Sequence, residues 1–284
     1  MRAVQTIVFP TDFSDAALNA FRYALRLSDL LDAKLSLIHV VSPEYETLDL
    51  PVIAHKATQD KLDLAKTTME SFIDWGLAQI QLNHSLKRIP SIVSEVKIGN
   101  PSSNITSYAV DQKADLIIMG RRNEHNLLEK TFGTTTTHVI EQSNVPVWVI
   151  PQLAKFDLPS KIAYASDGNE YEFFNLIKVE SWLHQFNPEF HMVHVSNEEV
   201  NRIDVKEVET LINEQYPNLT VAFHTVENNT VADGLTNFTN WNDIDLLVMF
   251  APHHNLLSKL LHKSQSKKVA MKSNIPVLVL KEFR

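Results

Sequence analysis

An internal repeat is the feature of this 284-residue sequence that most constrains its fold. The segment TIVFPTD at 6–12 resembles KIAYASD at 161–167, and LIHV at 37–40 resembles MVHV at 192–195. Both matches have the same offset of 155 residues. Self-similarity at a fixed offset is the signature of repeated structural units, so the two halves are expected to share one architecture.

The later part of each copy repeats at a shorter offset. DLIIMG at 115–120 matches DLLVMF at 245–250, and SNVPVWVI at 143–150 matches SNIPVLVL at 273–280, both at an offset of 130. The second copy is therefore about 25 residues shorter, and the loss falls between its second and third strand-like runs.

The repeat predicts two tandem domains, residues 1–153 and residues 159–284. The two domains are joined near Pro151–Ser160, where Pro151 and Pro159 interrupt regular structure.

Within each copy, short β-rich runs alternate with longer amphipathic ones. The strands predicted in the first copy are Thr6–Phe9, Lys34–Val41, Ile92–Lys97, Asp115–Met119 and Val145–Ile150. The helices predicted between them are Ser14–Leu31, Ala57–Gln81, Pro101–Gln112 and Thr134–Gln142. Mostly apolar strands separated by helices indicate a parallel sheet covered on both faces. We therefore predict an α/β fold of two tandem doubly wound, five-stranded, Rossmann-like domains, which bind ligands at the carboxyl ends of their strands.

Composition and charge argue against several classes of function. A net charge of −8 argues against a nucleic-acid coat or a polybasic membrane anchor. The absence of cysteine excludes a disulfide framework, a thiolate zinc site and a cysteine nucleophile. There is no secretory signal pattern, and no apolar run approaches the roughly 18 residues of a membrane span. We expect a cytoplasmic protein without nucleic-acid or membrane partners.

Polar residues follow the first two predicted strands. The Asp12 carboxylate could accept hydrogen bonds from a ribose hydroxyl or an adenine amine, or it could cap the following helix, whose dipole favours an acid there. His39 and Val40 could present backbone groups to a base, although a histidine in an apolar strand is more often a satisfied core residue. The sequence leaves these alternatives open.

The segment after the fourth strand has the character of an anion site. It runs Gly120-Arg121-Arg122-Asn123, then nine residues, then Gly133 and four threonines. Gly120 would let backbone approach a ligand without interference from a Cβ atom. Gly133 leads into a helix whose first N–H groups and dipole favour phosphate, and the arginines add positive charge. An ordinary helix cap is the alternative, and both can hold together.

The order PTDFS, LIHV, GNPSSNI, DLIIMG, a spaced Gly-Thr and NVPVWVI resembles a domain of the universal stress protein (UspA) superfamily, present twice. The resemblance covers nearly the whole chain and implies an adenine nucleotide α-hydrolase-like fold. In the ATP-binding branch the phosphate loop reads G-x2-G-x9-G-[ST]. This chain matches at Gly120, Gly133 and Thr134 and has Asn123 at the second glycine, a residue type that tolerates positive φ.

The resemblance implies that the first copy binds ATP or AMP through residues at these strand ends. They are Pro10, Thr11, Asp12, Val40, Met119, Gly120, Arg122, Asn123, Gly133, Thr134, Thr135 and Thr136. The first four would contact adenine and ribose, and the loop residues would contact the phosphates. Magnesium could accompany ATP, but the sequence places no acidic ligand for it beside the loop.

The second copy departs from this pattern. It retains Asp167, but Phe250 replaces Gly120 and Lys263 replaces Gly133. A phenylalanine would occupy the path of ribose or phosphate, so we expect no nucleotide in the second copy and assign it a structural or regulatory role. We also predict no metal site.

Three functions remain open. The favoured one is a stress-response or signalling module whose N-terminal domain binds ATP or AMP. The alternative is a nucleotide-free universal stress protein that acts through protein–protein contacts. A slow ATPase comes third, because no paired carboxylates and no general base stand beside the loop. We therefore expect a protein that is not an enzyme.

The last strand of each copy bears on assembly. Val145–Ile150 and Ile275–Leu280 are expected at sheet edges, where unpaired backbone groups invite another strand. The resemblance implies that this edge pairs two chains in single-domain members of the superfamily. A tandem chain can satisfy it internally, as a pseudo-dimer of its two domains, and a homodimer is the further alternative.

Overall fold

The chain divides into two compact units, Val4–Ala154 and Lys155–Arg284. The computed structural model describes residues 4–43, 51–83, 86–122, 134–156, 158–166, 172–196, 209–210, 214, 220–251, 268–270 and 272–281. Within those ranges, no helix combines the length and the apolar character needed to cross a bilayer.

The first unit alternates strands and helices along the chain. Its elements are β1 (Thr6–Pro10), α1 (Asp15–Leu31), β2 (Lys34–Val41), α2 (Pro51–Asn83), β3 (Ile92–Ile98), α3 (Pro101–Asp111), β4 (Leu116–Arg121), α4 (Thr134–Gln142) and β5 (Val147–Pro151). The strand order is β3-β2-β1-β4-β5 and every neighbouring pair is parallel. The order reverses between β1 and β4, which makes their carboxyl ends the topological switch point of the sheet.

The second unit repeats this arrangement. Its elements are β6 (Lys161–Ser166), α5 (Glu172–Leu183), a 3-10 helix (His184–Phe186), β7 (Glu189–Ser196), β8 (Val221–Glu227), α6 (Val231–Trp241), β9 (Leu246–Ala251) and β10 (Val277–Lys281). The order β10-β9-β6-β7-β8 is the order of the first unit in reverse listing, again with parallel neighbours. The predicted α/β fold of two tandem parallel-sheet domains is confirmed.

The core of the first unit lies where α1 packs on the central strands. Ile7, Val8 and Phe9 of β1 are fully buried, as are Ala20 and Phe21 of α1. A strand buried on both faces requires helices on both faces, which explains its uninterrupted apolar sequence.

Sequence and structure differ most at α2, which begins at Pro51 rather than at the predicted Ala57. The apolar periodicity is weak in those first turns, but proline is favourable in the first turn of a helix, where its missing N–H costs nothing.

The repeat extends to individual hydrogen bonds. The Asp115 carboxylate accepts a bond from the backbone N–H of Thr6 at 3.0 Å, and the Asp245 carboxylate accepts the equivalent bond from Lys161 at 2.9 Å. Each aspartate precedes the fourth strand of its unit and holds the start of the first. The two units therefore share detailed geometry as well as topology.

Candidate functional site

A cavity of about 170 Å³ lies at the carboxyl ends of β1, β2 and β4 in the first unit. Nine of the twelve residues predicted to contact nucleotide line it, namely Pro10, Thr11, Asp12, Val40, Met119, Gly120, Arg122, Thr135 and Thr136. Of the other three, Asn123 and Gly133 lie outside the described residues, and Thr134 is described only as the first residue of α4. The fold thus brings four distant chain segments to one cavity.

The cavity is lined by more residues than the family resemblance implies as nucleotide contacts. The additional lining residues are Ser14, Ala16, Ala17, Ile38, His39, Pro101 and Ile105. Ile38 and His39 belong to β2, and the other five belong to the N-cap and first turn of α1 or to the first two turns of α3. These helices begin where β1 and β3 end. The helix starts that follow each strand were the available signal, since parallel topology places them beside the strand ends.

Asp12 is not the N-cap of α1. That position belongs to Ser14, whose hydroxyl accepts a hydrogen bond from the Ala17 N–H. Asp12 Oδ1 instead accepts the Ser14 N–H at 3.0 Å, and Asp12 Oδ2 accepts a hydrogen bond from the Arg122 guanidinium at 2.7 Å. The cap interpretation of Asp12 is therefore wrong, and one oxygen of its carboxylate accepts a hydrogen bond from a cation in the segment that follows β4.

The charge of Asp12 follows from these contacts. Partial burial acts to raise its pKa, but the hydrogen bonds from Ser14 and the positive charge of Arg122 outweigh burial, so the pKa lies below its ordinary value. Asp12 is an anionic hydrogen-bond acceptor at neutral pH. The side chains of Arg122 and Asp12 are 64% and 56% exposed, and such exposed ion pairs contribute at most about 1 kcal/mol. A ligand can therefore displace Arg122 at little cost.

His39 joins the ends of β1 and β2. Its Nδ1 atom lies 2.8 Å from the backbone oxygen of Thr11, and its ring is half-buried. His39 therefore has a hydrogen-bond partner within the protein, which was one of the two alternatives predicted for it. It also lines the cavity together with Val40.

Gly120 lines the cavity, and it also meets a packing requirement that the sequence did not reveal. A Cβ atom at this position would lie 2.6 Å from the backbone oxygen of Ala16 and 3.1 Å from the Ala17 nitrogen. The glycine therefore allows the first turn of α1 to approach the end of β4. Its counterpart in the second copy is Phe250, which carries a large side chain at the equivalent position of β9.

The N-terminus of α4 is the third polar feature of the cavity, after Asp12 and Arg122. Thr135 and Thr136 belong to its first turn and line the cavity. The unpaired N–H groups and dipole of a helix start favour an anion. The cavity thus combines an anionic acceptor at Asp12 with a cationic donor at Arg122 and a helix N-terminus.

Metal ligands do not assemble in the parts of the chain that the structure describes, where no group of three or more His, Asp or Glu side chains could hold an ion. His253 and His254 lie outside those parts, as do Asp167 and Lys263 of the second copy.

Comparison with known proteins places the chain among relatives of known fold. The sequence model of the universal stress protein family matches residues 3–151 and 183–281. Two universal stress proteins of Methanocaldococcus jannaschii are 27% identical over 155 residues and 28% identical over 151 residues. These alignments cover 52% and 51% of this chain, and 83% and 93% of the relatives.

A solved universal stress protein from Archaeoglobus fulgidus matches with a TM-score of 0.72 at 17% identity, covering 97% of this chain and 98% of that one. The second family match begins only at residue 183, which is the last residue of α5, so it leaves out β6. The structure nevertheless places β6 between β9 and β7, where the internal repeat predicts it.

Proposed function

The chain belongs to the universal stress protein family, and on that premise we propose that its first unit binds an adenine nucleotide, ATP or AMP, as a stress-response or signalling module. The observation that carries the proposal is the single cavity wall formed by nine of the residues that the family resemblance implies as nucleotide contacts. They come from β1, β2, β4 and α4 and from the segments that directly follow β1 and β4, and only the fold brings them together.

The nucleoside end of the ligand belongs at Asp12. The ribose hydroxyls are donors, and the Asp12 carboxylate is an acceptor whose lowered pKa keeps it ionised at neutral pH. Val40 lies one residue before the end of β2, beside the cavity, where backbone groups can pair with the edge of the base, and Met119 offers apolar surface to its face.

The phosphate end belongs between Arg122 and the start of α4. Arg122 pairs with Asp12 in the free protein, and an incoming phosphate offers it a partner of higher charge. The exposed ion pair is weak enough for the exchange to proceed without a large penalty. Binding would thus free Asp12 for ribose and engage Arg122 with phosphate in one rearrangement.

We assign the first unit a binding role rather than a catalytic one. Among the described residues that line the cavity, Asp12 is the one carboxylate, and it is already bound by Ser14 and Arg122. General acid–base catalysis needs a second group placed opposite the first. The second unit would act as a structural or regulatory partner, since Phe250 stands where Gly120 admits the close helix.

The direct test is to detect and count the nucleotide. Mass spectrometry of the denatured, purified protein should detect released AMP or ATP, and calorimetry on nucleotide-free protein should give about one site per chain, because only the first copy keeps the glycines Gly120 and Gly133 of the phosphate-loop motif. Two equivalent sites would contradict the assignment to the first unit. A chain that binds neither nucleotide would favour the alternative function through protein–protein contacts.

A further inference from the structure

Phe13 has a backbone conformation that its side chain disfavours. Its φ is 61°, in the left-handed region, where a bulky residue is a genuine outlier and glycine is not. The other described non-glycine residues with positive φ are Asp32, Lys113, Asn187 and Asp243. Three of these four are Asp or Asn, which tolerate the region. Phe13 is thus the one aromatic residue held there among the described residues.

The repeat places a different residue type at the equivalent position. At the offset of 155, the residue of the second copy that corresponds to Phe13 is Gly168, a residue type that adopts positive φ without a steric penalty. The copy that keeps the phosphate-loop glycines therefore keeps a strained phenylalanine, and the copy that lost them has glycine. Strained residues persist where the surrounding contacts hold them, and they concentrate at functional sites.

Phe13 lies within the turn that carries two cavity residues. Its own N–H donates a hydrogen bond to Thr11 Oγ1 at 2.9 Å, and the next N–H, of Ser14, donates to Asp12 Oδ1 at 3.0 Å. The backbone of Phe13 thus connects the hydrogen bonds that fix the side chains of Thr11 and Asp12.

The Phe13 ring is held between two aromatic neighbours. It stacks on the His39 ring with centroids 4.3 Å apart and meets the Phe72 ring edge-on at 5.7 Å. Phe72, on α2, also contacts Phe9 and Phe21 of the buried core. Aromatic pairs at these separations add stabilisation beyond their buried area. The ring therefore anchors the turn to the core.

The stack reaches the cavity through His39. An imidazole nitrogen 2.8 Å from the Thr11 carbonyl oxygen must carry the proton, so His39 donates this hydrogen bond from Nδ1. Thr11, Asp12 and His39 line the cavity, whereas Phe13 and Phe72 are not among the lining residues. Phe13 therefore influences the cavity indirectly, through its contact with the His39 ring.

We propose that Phe13 is a positioning residue of the nucleotide site, whose ring clamps His39 and thereby holds Thr11 and Asp12 in the geometry that receives the nucleoside. The inference rests on the proposed function for its ligand. A turn that is already ordered binds more tightly, because affinity falls in proportion to the fraction of molecules in the competent conformation.

The test uses the full chain with the variants Phe13→Gly, Phe13→Tyr and Lys113→Gly. Phe13→Gly relieves the strain and removes the ring, whereas Phe13→Tyr keeps the ring. Lys113→Gly is the control, because it relieves a positive φ just before β4, at the end of the strands opposite to the cavity. AMP affinity should fall about 5- to 10-fold in Phe13→Gly alone, as expected if roughly 10–20% of molecules keep the competent turn.

A second readout does not depend on nucleotide. In the free protein, NMR should show ring-current shifts on the His39 protons in the wild type and in Phe13→Tyr, and their loss in Phe13→Gly. Hydrogen exchange at the Ser14 N–H, which is bonded to Asp12, should accelerate in Phe13→Gly. These signals report positioning even if the wild type fails to bind AMP, in which case the proposed function falls by itself. Unchanged Ser14 exchange, or wild-type AMP affinity in Phe13→Gly, would overturn the proposal.

Discussion

The Nδ1 atom of His39 lies 2.8 Å from the backbone oxygen of Thr11, and 155 residues later His194 makes the same contact with Ser166 at 3.1 Å. In each unit this hydrogen bond joins the end of the first strand to the end of the second. The second unit therefore preserves the framework around the candidate site while its loop residues have diverged.

Replacing Asp12 with alanine should weaken AMP and ATP equally, because both ligands contain the ribose that this carboxylate is proposed to bind. The expected loss is about 10- to 100-fold, since a hydrogen bond to a charged group is worth about 1.5–3 kcal/mol. Calorimetry measures both affinities, and Asp12→Asn is the control that keeps an acceptor for the Ser14 N–H. Unchanged affinity in a folded Asp12→Ala protein would leave Asp12 with a purely local role in the turn.

Replacing Arg122 with glutamine should separate the two ends of the ligand. ATP should bind more weakly, whereas adenosine should bind as well as before or up to about fivefold better, because the variant releases Asp12 from an exposed ion pair worth at most about 1 kcal/mol. Titrations with adenosine, AMP and ATP give the comparison. An equal loss for adenosine and ATP would show that Arg122 does not act on phosphate.

Replacing Gly120 with alanine should destabilise the first unit even without ligand. The new Cβ atom would be 2.6 Å from the Ala16 backbone oxygen, so α1 must shift, and overpacking of this kind costs about 1–3 kcal/mol. Urea unfolding of the variant measures the loss. Phe250→Ala in the second unit is the matched control and should not introduce a comparable clash. A Gly120→Ala protein with wild-type stability would mean that the helix start adjusts freely.

Lowering the pH should reduce the stability of the second unit through His191 and His224, whose ring nitrogens lie 3.0 Å apart. Desolvation lowers the pKa of both histidines below the usual 6.5. At His191 this effect outweighs the charge of Glu189, which raises the pKa, and the charge of Lys161 lowers the pKa further. A lowered folded-state pKa favours the neutral form. The stabilisation is therefore complete above about pH 6.5 and is lost as the pH falls through the folded-state values.

Hydrogen exchange on peptides of β7 and β8 should show this loss between neutral pH and pH 5, after correction for intrinsic exchange rates. The first unit provides the comparison, because the residue equivalent to His191 is Ser36, which hydrogen-bonds Tyr108 at 2.8 Å and does not titrate in this range. His191→Ser should flatten the pH dependence in the second unit. A wild-type protein equally protected at both pH values would refute the prediction.

Separating the two domains should expose a strand edge. The last strands, β5 and β10, each stand at one end of the strand order of their unit. From the sequence we expect these edges to be satisfied within one chain, so a fragment ending at Leu158 should dimerise or aggregate while the full chain stays monomeric. Light scattering decides the matter. A fragment that remains monomeric at high concentration would count against the pseudo-dimer.

The sequence alone determined the architecture of this protein. The repeat, the alternation of apolar strands with amphipathic segments and the proline at the start of α3 were enough to predict two parallel α/β units, and β2 and α4 have the predicted bounds. These features are local or periodic, because burial on one face of a helix or both faces of a strand leaves a regular pattern in the chain.

The tertiary structure alone decided the pairings around the cavity. Asp12 meets Arg122 across 110 positions of sequence, and Gly120 is required by the approach of Ala16. Phe13 is held by His39 and Phe72 in a conformation that its residue type disfavours. Such contacts carry no local signature, because they depend on where the sheet places strand ends that are distant in the chain. The sequence motifs therefore pointed to nine of the residues that line the cavity, whereas the packing of α1 and α2 on the sheet decided which partners they have.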